Sequence, residues 1–184
     1  MEIILASASP RRKELLGHIF DNFRIVVTDI DESFTLISPE ENVMKIATNK
    51  VNAIDSSFET LIIGADTTVF LDGVYYNKPI NEADAARMLA ELSGKTHKVY
   101  TGICIKYRNK LYSFFEVSNV TFNNLSYNDI DRYITIKQPL DKAGAYGIQD
   151  NAVVASYTGD YNNIMGLPVD RLAREIKEII GYGN

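Results

Sequence analysis

Two groups of side chains in this 184-residue sequence have the types and spacing for chemistry. In IILASASPRRKELL, near the start, Ser7 and Ser9 offer hydroxyls, and Arg11 and Arg12 offer guanidinium forks. Ile3, Ile4 and Leu5 read as a buried strand, Ser9 as a helix cap, Pro10 as a first-turn residue, and Leu15 and Leu16 as the apolar face of the helix. A helix start and paired arginines both favour anions, so this stretch suits phosphate. The plainer reading is an ordinary cap followed by two solvated arginines.

The second group centres on Asp66, which stands in GADTT between the apolar runs 61–63 and 69–71. A carboxylate between two apolar runs is costly to bury without a hydrogen bond, a cation or water, so Asp66 is a functional candidate; the alternative is a turn aspartate at a strand end. Asp72 and Gly73 read as a tight hairpin turn, and the returning strand brings Lys78 back towards the Asp66 end as a pocket cation. Asp29, Asp31 and Glu32 cluster earlier, either as a solvated loop or facing a bound cation. Residues 141–150 read DKAGAYGIQD: glycines and alanines allow a tight path, and Lys142, Tyr146 and Gln149 supply a cation, an aromatic and an amide for a ligand. Glu116 sits in an alternating segment, either approaching a cleft or exposed on a strand.

The elements that must hold these groups alternate in type. A second strand is expected over 23–28. A helix follows, with Ser38 and Glu41 as a capping box, Pro39 in its first turn, and Val43, Ile46, Ala47, Val51 and Ile54 as its stripe. That stripe places Lys45 and Lys50 off its centre, and the plainer reading of Lys50 is a solvent-facing lysine. Asn81 caps the next helix, which stops at Gly94, and residues 96–107 and 111–122 form a long antiparallel hairpin across Arg108, Asn109 and Lys110. Phe115, Val117 and Val120 change phase, which predicts a bulge. Ser126 opens a short helix ended near Pro139, residues 152–157 form a strand, and Pro168 starts a closing helix that ends at Gly181.

Composition narrows the class. The chain is 46% hydrophobic and 23% charged, as expected for one globular domain over residues 1–184, with two lobes allowed. No apolar run reaches the ~20 residues that span a bilayer, so a soluble, cytoplasmic protein without membrane partners is expected. Its net charge of −5 disfavours broad nucleic-acid binding. Cys104, the single cysteine, reads as a core residue, and His18 and His97 lack zinc-ligand spacing.

Six phrases in order, LASASPRRKELL, DIDE, GADTTVFLDGVYYNKP, LSGKTHKVYTG, DKAGAYGIQD and GLPV, resemble the Maf family of nucleoside triphosphate pyrophosphatases over nearly the whole chain. The resemblance implies an α/β fold with a mixed, elongated, twisted sheet, flanking helices and two lobes around a cleft, related to inosine triphosphate pyrophosphatases. It implies hydrolysis of a nucleoside triphosphate to the monophosphate and pyrophosphate with a divalent cation, Mg²⁺ or Mn²⁺, and it allows a homodimer. Carried over residue by residue, it makes Asp66 the proton acceptor and Glu32 a second acid, both at the metal, and Lys50 and Lys78 the cations that stabilise phosphoryl and pyrophosphate charge. Ser7, Arg11 and Arg12 would anchor phosphate oxygens, with Lys142 an addition.

Arg11, Thr67 and Gln149 match the branch of that family acting on dTTP and UTP, and an amide such as Gln149 offers donor and acceptor to a pyrimidine edge. Asn77 before Lys78, and Asp160, Tyr161 and Asn162 in a late turn, depart from the commonest phrasing. The alternatives are the same chemistry on 7-methyl-GTP or another purine nucleotide, and a non-catalytic nucleotide-binding regulator of septum formation.

Overall fold

Seven strands and six α-helices make up the computed structural model, which describes residues 1–35 and 38–181. The strands are β1 (Ile3–Ala6), β2 (Arg24–Ile25), β3 (Leu61–Leu71), β4 (Val74–Tyr76), β5 (Thr96–Tyr107), β6 (Lys110–Phe122) and β7 (Val154–Thr158). The helices are α1 (Pro10–Leu16), α2 (Pro39–Asn52), α3 (Glu82–Leu92), α4 (Tyr127–Lys137), α5 (Tyr161–Met165) and α6 (Val169–Ile180). Among the described residues the strands form one mixed sheet in the order β2-β1-β3-β5-β6-β7, with β4 on β3. β1 runs parallel to β2 and β3, whereas β4 and β7 run antiparallel to β3 and β6.

The chain divides into two compact units. The first holds residues 1–66, 101–116 and 166–184, and the second holds 67–100 and 117–165, so β3, β5 and β6 each contribute to both. Ile4, Ala6, Ala47, Val51, Ile54, Ile62 and Cys104 form a core cluster in the first unit. Val69, Met88, Leu89, Val120, Ile134 and Tyr146 belong to the core of the second.

In the first unit, α2 is the element that positions a functional side chain. Ser38 and Glu41 satisfy each other's backbone N–H groups, Pro39 starts the helix, and Glu40 and Glu41 face its positive end. The helix lies directly on two strand glycines. A Cβ on Gly64 would stand 2.5 Å from Ala47 O, and one on Gly102 would stand 2.4 Å from Val43 C. Backbone contact of that kind is open only to glycine, and it sets α2 close to β3 and β5.

The hairpins follow their turn chemistry. Asp72 and Gly73 take φ of 50° and 83°, and Arg108 and Asn109 take 49° and 61°, the left-handed pairs that match strand twist across a two-residue turn. Lys110 therefore joins β6 and is not part of the turn.

Three expected elements differ. The strand expected over 23–28 shrinks to Arg24–Ile25, because the β1 edge beside it is four residues long and gives way to the turn before Ser9. The two runs around Asp66 are one strand: β1 pairs with its first half and β4 with its end, so Asp66 lies mid-strand and not at a strand-end turn. Phe114, Ser118, Val120 and Phe122 keep one inward phase in β6, with Val117 37% exposed on the other face. The irregularity in that strand falls at Thr121 and Phe122, against β7.

Candidate functional site

Lys50 and Asp66 define the site in the first unit. Lys50 sits in the last turn of α2 and is 6% exposed; Asp66 sits in β3 and is 8% exposed. The Lys50 ammonium donates to Asp66 Oδ1 at 3.2 Å and to Ala65 O at 3.3 Å, and pairs with Glu32 Oε1 at 3.0 Å. Two hydrogen bonds and an ion pair thus surround the ammonium, which is how a cation tolerates burial. The plainer reading of Lys50 as a solvent-facing lysine is overturned. Four residues after Ile46 and three after Ala47, it lies on the buried side of the helix, and the carboxylates stabilise its charge there.

Burial pushes the Asp66 carboxyl above the usual range, the charges of Lys50 and Arg12 pull it back, and Glu32 adds to the rise. Glu32 keeps its side chain 48% exposed. Its segment is tied to α2 by Asn42, a buried residue that the sequence reading missed: Asn42 Oδ1 accepts from Thr35 N at 2.9 Å and Nδ2 donates to Thr35 O at 3.1 Å. A polar residue four positions before Ile46, on the buried face, was the available signal.

The opening stretch folds as its sequence indicates. Ser9 caps α1 through Arg12 N, and Leu15 and Leu16 are buried. Ser7 is 8% exposed, and its Oγ accepts from Ser9 N at 3.2 Å and from the Arg12 guanidinium at 3.3 Å. Arg12 Nε also donates to Gly166 O at 2.9 Å, so Arg12 is built into the fold, unlike the solvated arginine of the plainer reading. Burial lowers its pKa, Asp66 raises it, Arg11 lowers it and Glu32 raises it, which places all four charges within electrostatic reach. Arg11 is half-buried.

Glu116 is half-buried and paired, unlike the exposed strand glutamate of the plainer reading. Arg171 of α6 donates to Glu116 Oε2 at 3.1 Å and to Phe115 O at 2.6 Å, with its guanidinium 4.6 Å from the centre of the Phe114 ring.

The second unit holds Thr67, Lys78, Lys142 and Gln149. Thr67 is half-buried in β3 and Lys78 is exposed after β4; the register of that hairpin, continued two residues, sets Lys78 opposite Thr67. Thr68 Oγ1 donates to Asn77 Oδ1 at 2.7 Å, so the unusual Asn77 secures the Lys78 segment to β3. Lys142 donates to Asp141 at 2.7 Å, and Gln149 is exposed. Tyr146 does not offer its ring to a ligand: it is 5% exposed, and its hydroxyl lies 2.8 Å from His97 Nε2 inside the core.

Comparison with known proteins decides the family. The profile described as Maf-like protein matches residues 2–179. The chain belongs to the Maf family. A Maf relative from Bacillus cereus (strain Q1), named dTTP/UTP pyrophosphatase, is 45% identical over 96% of this chain and 95% of its own. Another of that name, from Bacillus cereus (strain ATCC 10987 / NRS 248), is 46% identical over 96% of this chain and 89% of its own. A third, from Bacillus thuringiensis subsp. konkukian (strain 97-27), is 45% identical over 96% and 95%.

The donor set of this Maf protein fits a hard divalent cation of the Mg²⁺ type. Among the described residues no three of His, Cys, Asp and Glu gather as a metal cage. Mg²⁺ uses one or two carboxylates and completes its shell with water and substrate phosphates. Asp66 and Glu32 would be the two carboxylates, and Lys50 engages one oxygen of each. No helix among the described residues is long and apolar enough to cross a membrane.

Proposed function

We propose that this Maf-family protein hydrolyses dTTP and UTP to the nucleoside monophosphate and pyrophosphate in the cytoplasm. The observation that carries this reading is the buried Asp66, held by Lys50 in a chain 45% identical to proteins named for that activity.

Water adds to the α-phosphorus, the bond from that phosphorus to the bridging oxygen breaks, and pyrophosphate leaves with the electron pair. Asp66 accepts the proton of the attacking water; a carboxylate desolvated by burial binds a proton more strongly than one in water. A divalent cation, Mg²⁺ or Mn²⁺, held by Asp66 and Glu32 would supply charge neutralisation at the phosphate oxygens. Lys50 orients both carboxylates, and Lys50 and Lys78 stabilise charge on the phosphoryl group and on departing pyrophosphate.

Ser7, Arg11 and Arg12 hold phosphate oxygens, and Lys142 adds a cation. The anchoring of Arg12 on Ser7 and Gly166 supports a fixed guanidinium for that task. Thr67 and Gln149 read the pyrimidine, with the exposed Gln149 amide as its donor and acceptor.

A panel of dTTP, UTP, CTP, purine triphosphates and 7-methyl-GTP, assayed for pyrophosphate with Mg²⁺ or Mn²⁺, tests the reading. The highest kcat/KM belongs to dTTP and UTP. Dominant turnover of 7-methyl-GTP would move the protein to the other branch, and tight binding without turnover of any nucleotide would make it a regulator.

A further inference from the structure

The turn that carries Gln149 is held from below by a single buried phenol. Tyr133 lies on α4, is 4% exposed, and accepts a hydrogen bond from Gly147 N at 3.0 Å while donating one to Asp150 Oδ2 at 2.8 Å. Its two partners flank Gln149 in sequence. The Gln149 side chain leans on this clamped backbone: a Cβ on Gly147 would stand 2.9 Å from Gln149 Oε1 and 3.0 Å from its Cδ. Lys137, one helical turn after Tyr133, reaches Asp150 Oδ1 at 3.5 Å and fixes the same carboxylate. α4 is itself firmly placed, by the Ser126 and Asp129 capping box and by Ile130 and Ile134 in the core.

We propose that Tyr133 is a positioning residue for pyrimidine recognition: its hydroxyl holds Gly147 and Asp150 so that the Gln149 amide stands preformed for the base. The proposal rests on the reading of Gln149 as the base-recognition residue. The ring of Tyr133 belongs to the packed core, and a phenylalanine would fill the same space. The hydroxyl adds two bonds, and both go to the turn. Two non-glycine residues in and beside this segment take positive φ, Ala145 at 58° and Asn151 at 50°, and alanine in particular keeps that conformation only where surrounding contacts hold it. Tyr146, held by His97, pins the start of the turn, and Tyr133 pins its end. An amide preformed in this way loses less freedom when a nucleotide binds, so the clamp acts on KM and discrimination and leaves kcat alone.

A double-mutant cycle on the intact protein tests this. Tyr133→Phe raises KM for dTTP and UTP about three- to tenfold, the range of one or two lost hydrogen bonds, lowers their preference over purine triphosphates equally, and leaves kcat within about twofold. Amide exchange across residues 143–151 quickens. In the Gln149→Ala background, Tyr133→Phe changes KM by less than about twofold, because the group it positions is gone. Asp150→Ala, which removes the other partner, moves KM in the same direction and serves if Tyr133→Phe does not fold. Unchanged KM in Tyr133→Phe, or an effect undiminished in the Gln149→Ala background, overturns the positioning role while Gln149 stands. A Gln149→Ala variant with wild-type discrimination overturns both the reading of Gln149 and the clamp built on it.

Discussion

Lys50 Nζ stands 3.2 Å from Asp66 Oδ1, with side-chain exposures of 8% and 11%. A buried ion pair of this kind adds little to stability on balance, because desolvation offsets its attraction. What it fixes is the orientation and the charge state of a carboxylate. The contact depends in turn on α2 lying flush on glycine backbone.

In the metal-free protein, the Asp66 carboxyl titrates above the usual aspartate range, because burial disfavours the anion more than its cationic neighbours favour it. Lys50→Met removes the strongest opposing charge and moves that titration to higher pH. A divalent cation that binds the anion moves it lower. Carboxyl-detected NMR titrations of the two proteins, with and without Mg²⁺, check all three directions; an ordinary aspartate titration in both would contradict them.

Gly64→Ala inserts a methyl where Ala47 O stands 2.5 Å away and Val51 Cγ1 2.7 Å away. The helix must lift from the strand, at a stability cost of about 1–3 kcal/mol. Lys50 lifts with it. Denaturant unfolding should show the loss, and kcat should fall more than in Gly73→Ala, where the cost is the strain of a φ of 83° in a turn and no helix is displaced.

Much of this arrangement was readable in advance. Capping boxes, Pro10 and Pro39, the Asp72–Gly73 turn and the central strands are local signals, and they appear where the sequence sets them. The burial of Lys50 is hidden when only hydrophobic residues define the stripe of α2, although its spacing from Ile46 places it inside. The ties of Arg12 to Gly166 and of Glu116 to Arg171 join residues far apart in sequence, so no periodicity could reveal them. Nothing in the sequence singles out Tyr133, since a hydroxyl's partners follow from tertiary packing alone.

His97 is 1% exposed, edge-on to the Phe122 and Tyr146 rings, and burial lowers its pKa to about 4. The folded state keeps it neutral while the unfolded chain takes a proton below pH ~6.5. Stability from this group is therefore full above ~6.5, falls as pH drops towards 4, and levels below, for a total of about 3 kcal/mol. Comparing the pH dependence of unfolding in wild type and His97→Gln isolates the slope; identical slopes would contradict it.

Arg12→Lys keeps a charge but loses the fork that donates to Gly166 O at 2.9 Å and to Ser7 Oγ at 3.3 Å. An unanchored ammonium holds phosphate less well, so KM for dTTP should rise about tenfold, with a smaller change in kcat. Steady-state kinetics at fixed ionic strength give the split.

Turnover of dTTP in ¹⁸O-labelled water, with Mg²⁺ present, tests the central assignment most directly. Attack of water on the α-phosphorus puts the label in the monophosphate and leaves pyrophosphate unlabelled, and Asp66→Asn lowers the rate on the order of 10²–10⁴-fold with the fold intact by circular dichroism. Label in pyrophosphate, release of orthophosphate alone, or an Asp66→Asn variant as fast as wild type would contradict the account.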